Sequence, residues 1–193
     1  MNKCSKNRTF GQILHDEVLQ IHDKTFEIFI RSEEIQTKIA SIAEKLNTAY
    51  EGKEVVFIAI LNGAFMFAAD LMKRVTLPCG ISFVKVSSYQ GMNSSGRVDE
   101  VIGLNTSIKN KHVIILEDIV DTGITINKIM TLLATEHPAS IKITTLLYKP
   151  EAFVGKHTPD YVGFSIPNSF VVGYGLDYNE HGRNTEHIYQ LKG

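Results

Sequence analysis

The sequence predicts an α/β domain with a mainly parallel central sheet flanked by helices, and three observations carry that prediction. Residues 54–60, 113–116 and 141–147 are nearly continuous apolar runs, as in strands buried on both faces. Segments between such runs place apolar residues at helical spacing. Strand and helix then alternate along the chain, which calls for crossover connections and parallel pairing.

Taken in order, residues 1–25 are weakly patterned and read as an arm or short helix outside the sheet. Residues 26–30 form a short strand. Ser32 is placed as an N-cap, with Glu33 and Glu34 in the first turn, where carboxylates favour the helix dipole. Ile35, Ile39, Ile42, Ala43 and Leu46 then put one face of that helix on the sheet. The strand over 54–60 ends in Leu61-Asn62-Gly63-Ala64, ahead of an apolar helix over 65–72 that is also a candidate subunit contact.

Residues 81–87 give a further strand. Residues 89–97 are polar and punctuated by Gly91 and Gly96, the composition of a mobile loop. A strand over 98–104 leads to the buried run at 113–116, and a helix from about residue 124 to 136 precedes Pro138. The strand over 141–147 is followed by two short ones, 161–166 and 170–174, parted by Pro167-Asn168-Ser169.

At 193 residues the chain suits a single domain, and no linker or repeat divides it. Twenty basic against 21 acidic residues, a formal charge of −1, provide no general field for nucleic acid or an acidic membrane. Any anionic substrate must be held by local groups. Cys4 and Cys79 form neither a disulfide framework nor a thiolate metal spacing, so a reducing cytoplasm is the expected compartment. No apolar run approaches the roughly 20 residues of a membrane helix. The seven histidines show no paired metal spacing; His181 and His187 read as surface or tail contacts.

Ligands of parallel α/β sheets sit beyond the carboxyl ends of the strands. Four such ends stand out: Leu61-Asn62-Gly63, Glu117-Asp118, Lys149 and Asp177. Glu117 and Asp118 follow Val113-Ile114-Ile115-Leu116 directly, so two carboxylates reach the mouth of a buried strand, where repulsion and desolvation are costly without a partner. A cation or a pair of sugar hydroxyls would supply one. Asp121-Thr122-Gly123-Ile124-Thr125 then enters a helix, with Gly123 allowing a tight turn, two hydroxyls at hand, and first-turn N–H groups suited to a phosphate. The Walker and dinucleotide glycine patterns are absent here. From these residues alone, an ordinary acidic turn capping a helix fits as well as an anion cradle.

The whole run over 113–125 resembles the binding signature for phosphoribosyl pyrophosphate in type I phosphoribosyltransferases: hydrophobics, two acids, two hydrophobics, Asp-Thr-Gly, a hydrophobic and Thr. The Leu61-Asn62-Gly63 turn, Ser88-Tyr89, Lys149 and the tail over 159–164 and 170–180 narrow the resemblance to the hypoxanthine-guanine phosphoribosyltransferase family. It covers residues 26–183. It implies the type I phosphoribosyltransferase fold, with a small hood built from the terminal segments, and transfer of phosphoribosyl to a 6-oxopurine with Mg²⁺ as cofactor. It also implies a homo-oligomer, dimer or tetramer.

Residue by residue, the resemblance implies that Glu117 and Asp118 hold the ribose hydroxyls, which also ligate Mg²⁺, and that Asp121, Thr122, Gly123, Ile124 and Thr125 grip the 5′-phosphate. Asp121 would face the purine N7 as general acid/base. Lys149 would donate to the 6-oxo group, Phe170 would stack on the base, and Val171 would meet its edge through backbone groups. Asp177 would lie by the base and bind a second Mg²⁺, with Arg183 reaching the pyrophosphate. Leu61-Asn62-Gly63 would form the pyrophosphate turn, whose first peptide is often non-trans in this family; Asn62 stands where some relatives carry a basic residue. Ser88 and Tyr89 would close over the reacting centre and exclude water. Xanthine as the base, and a regulator that binds phosphoribosyl pyrophosphate without catalysis, are the rival readings; no added DNA-binding segment or basic surface favours the second.

Overall fold

The computed structural model describes residues 14–15, 17–88 and 99–193. The loop expected over 89–97, with Tyr89, and most of the expected arm lie outside these residues.

Six strands form the main sheet: β4 (Val55–Ile60), β5 (Cys79–Ser88), β6 (Asp99–Ile102), β7 (His112–Val120), β8 (Ser140–Tyr148) and β9 (Tyr161–Ser165), in the order β6-β5-β4-β7-β8-β9. Pairing is parallel from β5 through β9, and β6 turns back antiparallel on β5 at one edge. All six residues of β4 are buried, the consequence of helices covering both faces. On one face α1 (Ser32–Ala49) and α2 (Phe65–Met72) pack Ile35, Ile39, Leu46, Phe67 and Leu71 against Phe57, Ala59 and Leu116. On the other, α3 (Ile124–Ala134) packs Ile126, Ile129 and Leu133 against Val56, Ile58 and Ile115.

The expected N-cap shifts by one residue. Arg31 holds the N-cap position and Ser32 is the first helical residue. The Arg31 N–H donates to Glu34 Oε2 at 3.0 Å, while the Ser32 N–H donates to His187 Nδ1 at 2.9 Å. His187 therefore serves the helix start as a contact from the tail.

A second, antiparallel sheet joins the two ends of the described chain in the order β1-β2-β3-β11-β10, with β1 (Leu14–His15), β2 (Val18–Ile21), β3 (Lys24–Ile30), β10 (Val171–Val172) and β11 (Ile188–Leu191). This is the hood. Residues 14–15 and 18–21 were expected to lie outside any sheet, and they do not. Leu19 and Ile21 bury against Phe26, Val172 and Tyr189, so the apolar partners that make β2 a strand come largely from the far end of the chain.

Candidate active site

The sheet order sets β4, β7 and β8 side by side, so their carboxyl ends meet. Leu61-Asn62-Gly63 leaves β4 through a cis Leu61–Asn62 peptide. Gly63 lies so near Asp118 that a Cβ there would overlap the Asp118 carboxylate. The hood tail arrives from the other side: a Cβ on Gly175 would overlap the Gly63 carbonyl oxygen. Glycine is required at both places by close approach. Two of the four chemically unusual strand ends thus touch, Asp118 on Gly63, and Gly63 in turn meets Gly175, two residues before Asp177.

Glu117 and Asp118 both lie inside β7 and are each only 8% exposed. Burial pushes the Glu117 carboxyl well above the usual range, and the neighbouring Asp118 charge adds to it. Burial also raises Asp118, against hydrogen bonds from Glu117 and the local backbone and the nearby Arg183 charge. Glu117 Oε2 is buried without a hydrogen-bond partner in the structure as described. A buried carboxylate oxygen without a donor is expensive, and a bound cation or hydroxyl removes that cost.

Past Val120 the chain turns through Asp121, Thr122 and Gly123, the last at φ +79°, where a side chain would be strained and where a Cβ would strike Phe153. Gly123 is the N-cap of α3, so the free N–H groups of the first turn open onto a cleft lined by Glu117 and residues 119–126. Thr122 O accepts from Val154 N–H at 3.1 Å, which braces the turn from the segment after β8. Ile124 stands 55% exposed at the cleft edge.

Lys149 follows β8 and is 6% exposed. Its Nζ donates to Asp121 Oδ2 at 2.8 Å, and its backbone N–H donates to Val120 O at 3.0 Å. The ammonium is therefore carried by the carboxylate at the start of the cradle.

Asp177 and Arg183 are paired, with Arg183 Nη2 2.7 Å from Asp177 Oδ1. Asp177 Oδ2 accepts from Glu180 N–H, and Arg183 Nη1 donates to Gly175 O, both at 2.7 Å. Phe170 is 44% exposed and meets Tyr178 edge-on at 5.8 Å between centroids. Val171 is buried in β10 opposite Gln190. Ser88 ends β5, its backbone opposite Asp99.

Three features of the site had no signal in local pattern. Lys24 Nζ sits over the Phe170 and Tyr178 rings, 5.7 and 5.2 Å from their centroids. Tyr178 Oη donates to Asp23 Oδ1 at 2.9 Å, which anchors the same ring cluster to the hood. Tyr174 reaches across to Asp70 on α2. All three join segments far apart in sequence.

Among the described residues no three His, Cys, Asp or Glu side chains converge as a metal cage, and no helix is long and apolar enough to cross a membrane.

Comparison with known proteins decides the family. The chain matches the phosphoribosyl transferase domain over residues 30–179. It is 43% identical over 173 residues to the hypoxanthine-guanine phosphoribosyltransferase of Lactococcus lactis, covering 88% of this chain and 93% of that protein. The chain belongs to the hypoxanthine-guanine phosphoribosyltransferases. The family member from Staphylococcus aureus strain Mu50 is 42% identical, with 89% and 97% covered. The bifunctional protein TilS/HprT of Listeria monocytogenes is 40% identical over 89% of this chain, which spans 27% of that longer protein. Among solved structures, a hypoxanthine phosphoribosyltransferase from Staphylococcus aureus superposes with a TM-score of 0.78 at 40% identity, covering 86% of this chain and 91% of that one. A Bacillus anthracis hypoxanthine-guanine phosphoribosyltransferase with HEPES in its active site gives 0.77 at 35% identity, covering 86% and 97%. The fold is that of a type I phosphoribosyltransferase.

Proposed function

We propose that the protein transfers phosphoribosyl from phosphoribosyl pyrophosphate to hypoxanthine or guanine, forming IMP or GMP and pyrophosphate in purine salvage. The observation that carries this reading is the buried Lys149 Nζ held 2.8 Å from Asp121 Oδ2 at the mouth of an anion cradle. It supports an ammonium for a 6-oxo group set beside a cleft whose own lining offers a carboxylate for a purine proton and free N–H groups for a 5′-phosphate. Adenine carries a 6-amino donor in place of the 6-oxo acceptor, so at that position Lys149 would face a donor.

In the reaction, purine N9 forms a bond to C1′ as the bond from C1′ to the pyrophosphate oxygen breaks. Asp121 takes or holds the purine proton, and the pyrophosphate leaves toward the 61–63 turn and Arg183. Lys149 and Phe170 orient the base, so catalysis is chiefly positioning and electrostatics. Ser88 and Tyr89, the latter outside the described residues, would exclude water from a cationic transition state.

Mg²⁺ fits the acidic pair, because Glu117 Oε2 is buried without a partner and lies beside a second carboxylate. Glu117 and Asp118 would hold it through the ribose hydroxyls, and Asp177 a second ion. Among the described residues no third carboxylate, His or Cys joins the pair, so the ion would take its remaining oxygens from substrate and water. When bound, Mg²⁺ offsets the charge of the leaving pyrophosphate.

The reading includes a cytoplasmic enzyme acting as a homo-oligomer. Phe65 at the start of α2 and Ile81 and Phe83 of β5 are exposed apolar side chains that a second subunit would cover. The experiment supplies phosphoribosyl pyrophosphate, Mg²⁺ and, in turn, hypoxanthine, guanine, xanthine and adenine. Nucleotide is expected from the first two; no product from any base would sink the enzyme reading, and xanthine alone would shift the substrate.

A further inference from the structure

We propose that Tyr174 and Asp70 are positioning residues for the pyrophosphate side of the site, acting through a hydrogen bond that locks the C-terminal tail onto the helix behind the 61–63 turn. The proposal rests on the reading above for residues 61–63 and Arg183, and extends it to two residues that hold them.

Tyr174 is 2% exposed and sits at φ +49°, a backbone region that bulky side chains seldom occupy and that must be held by its surroundings. What holds it is polar as well as apolar. Its Oη donates to Asp70 Oδ2 at 2.6 Å, between residues 104 positions apart. Gln36 Nε2 donates to the same oxygen at 2.7 Å, and Lys73 Nζ to Asp70 Oδ1 at 2.8 Å. Arg74 closes the network from below, Nη1 on Asp70 O and Nη2 on Gln36 Oε1, each at 2.8 Å. Asp70 thereby ties α1, α2 and the tail together.

The next residue shows what this lock controls. Gly175 packs directly on the Gly63 carbonyl. Its carbonyl accepts from Arg183 Nη1 at 2.7 Å, and its N–H donates to Arg183 O at 2.9 Å. A shift at Tyr174 is passed on to both Gly63 and Arg183. Moreover, α2 begins two residues after Gly63 and carries Asp70 in its last turns. The contacts form a closed ring from Gly63 along α2 to Asp70, across to Tyr174, on to Gly175 and back to Gly63. Opening it at the hydrogen bond frees the turn and the arginine together, while the 5′-phosphate cradle on α3 stands outside the ring.

The test measures dissociation constants of pyrophosphate with Mg²⁺ and of GMP, together with the melting temperature, for the wild type, Tyr174→Phe, Asp70→Asn, Asp70→Ala and Ile42→Val. Losing one hydrogen bond predicts that Tyr174→Phe weakens pyrophosphate by about three- to tenfold and GMP by less than about twofold. Asp70→Asn keeps a carbonyl acceptor for the phenol and restores most of the pyrophosphate affinity relative to Asp70→Ala. Ile42→Val, a core change remote from the ring, lowers the melting temperature without altering the ratio of the two affinities. Equal losses for both ligands in Tyr174→Phe, or no loss for pyrophosphate, would overturn the lock. Wild-type protein that binds GMP and pyrophosphate but makes no nucleotide would instead overturn the enzyme reading and leave the lock standing on its own binding data.

Discussion

Lys149 Nζ and Asp121 Oδ2, 2.8 Å apart, join the ends of two neighbouring parallel strands, and the pair is unequal in exposure. The Lys149 side chain is 8% exposed and that of Asp121 43%. The buried partner is the cation, so the carboxylate is what makes its burial tolerable.

Asp121→Asn is expected to slow turnover far more than it weakens phosphoribosyl pyrophosphate binding. Loss of a general acid/base costs about 10²- to 10⁴-fold in rate. The amide cannot neutralise Lys149, so a lower melting temperature accompanies the loss. Steady-state kinetics beside direct binding of phosphoribosyl pyrophosphate separates the two effects; equal losses in rate and affinity would leave Asp121 a structural role alone.

Glu117→Gln tests the cost of the acidic pair. Burial and Asp118 raise the Glu117 carboxyl, so the folded protein keeps a proton that the unfolded chain gives up. Stability therefore falls as pH rises from the ordinary glutamate value, about 4.3, through the raised one. Glutamine carries no proton to lose. The variant should melt above the wild type at alkaline pH, with a gap that narrows toward acid, while phosphoribosyl pyrophosphate and Mg²⁺ stabilise it less than they do the wild type. Thermal melts from pH 5 to 9, with and without ligand, read both. A gap independent of pH would show that the charge is not what burial penalises.

Much of this architecture is legible in sequence where the signal is local. The helices at Phe65 and Ile124 begin where the apolar period and the turn residues place them, because caps and periodicity act within a few residues. Glu117 and Asp118 stand out on physical grounds, since acids on an apolar run need a partner, but those grounds fit a capping turn as well as an anion cradle, and the family resemblance separates the two. Val18–Ile21 is illegible for the opposite reason: a four-residue strand carries too little period, and its core partners Val172 and Tyr189 are more than 150 residues away. The same distance hides Tyr174 and Asp70. Nothing in either neighbourhood announces that a phenol and a carboxylate will meet. The roles of Lys149 and Phe170 came from family resemblance, not from spacing, because a strand-end lysine and a tail phenylalanine are ordinary residues until the fold sets them beside the cradle.

Asp70 also predicts the acid limb of stability. Burial alone would raise its carboxyl, but hydrogen bonds from Lys73, Tyr174 and Gln36 outweigh burial and hold it at about 2. A carboxyl lowered on folding adds stability that is present above its unfolded value, 3.8, and is lost as pH falls toward 2. Asp70→Asn should therefore be less stable than the wild type at pH 6, with the two denaturation curves drawing together between about pH 4 and 2. A constant difference across that window would mean the carboxylate charge contributes nothing there.

Gly63→Ala and Gly175→Ala place one methyl on either side of the same contact, and their effects should differ in kind. At Gly63 the backbone tolerates alanine, but the new Cβ overlaps the carboxylate of Asp118, a side-chain end that must turn aside from its place beside Glu117. Affinity for phosphoribosyl pyrophosphate with Mg²⁺ should fall with a modest change in melting temperature. At Gly175 the φ of +102° is unfavourable for any side chain, a cost of about 1–2 kcal/mol, and the Cβ also strikes the Gly63 carbonyl. That variant should lose stability first, and with it the placement of Arg183 and the 61–63 turn. Paired melting and binding measurements check the order. If Gly63→Ala lost stability and kept affinity, Asp118 would not be held where the donor sugar needs it, and the acidic pair would be a structural feature of the strand end.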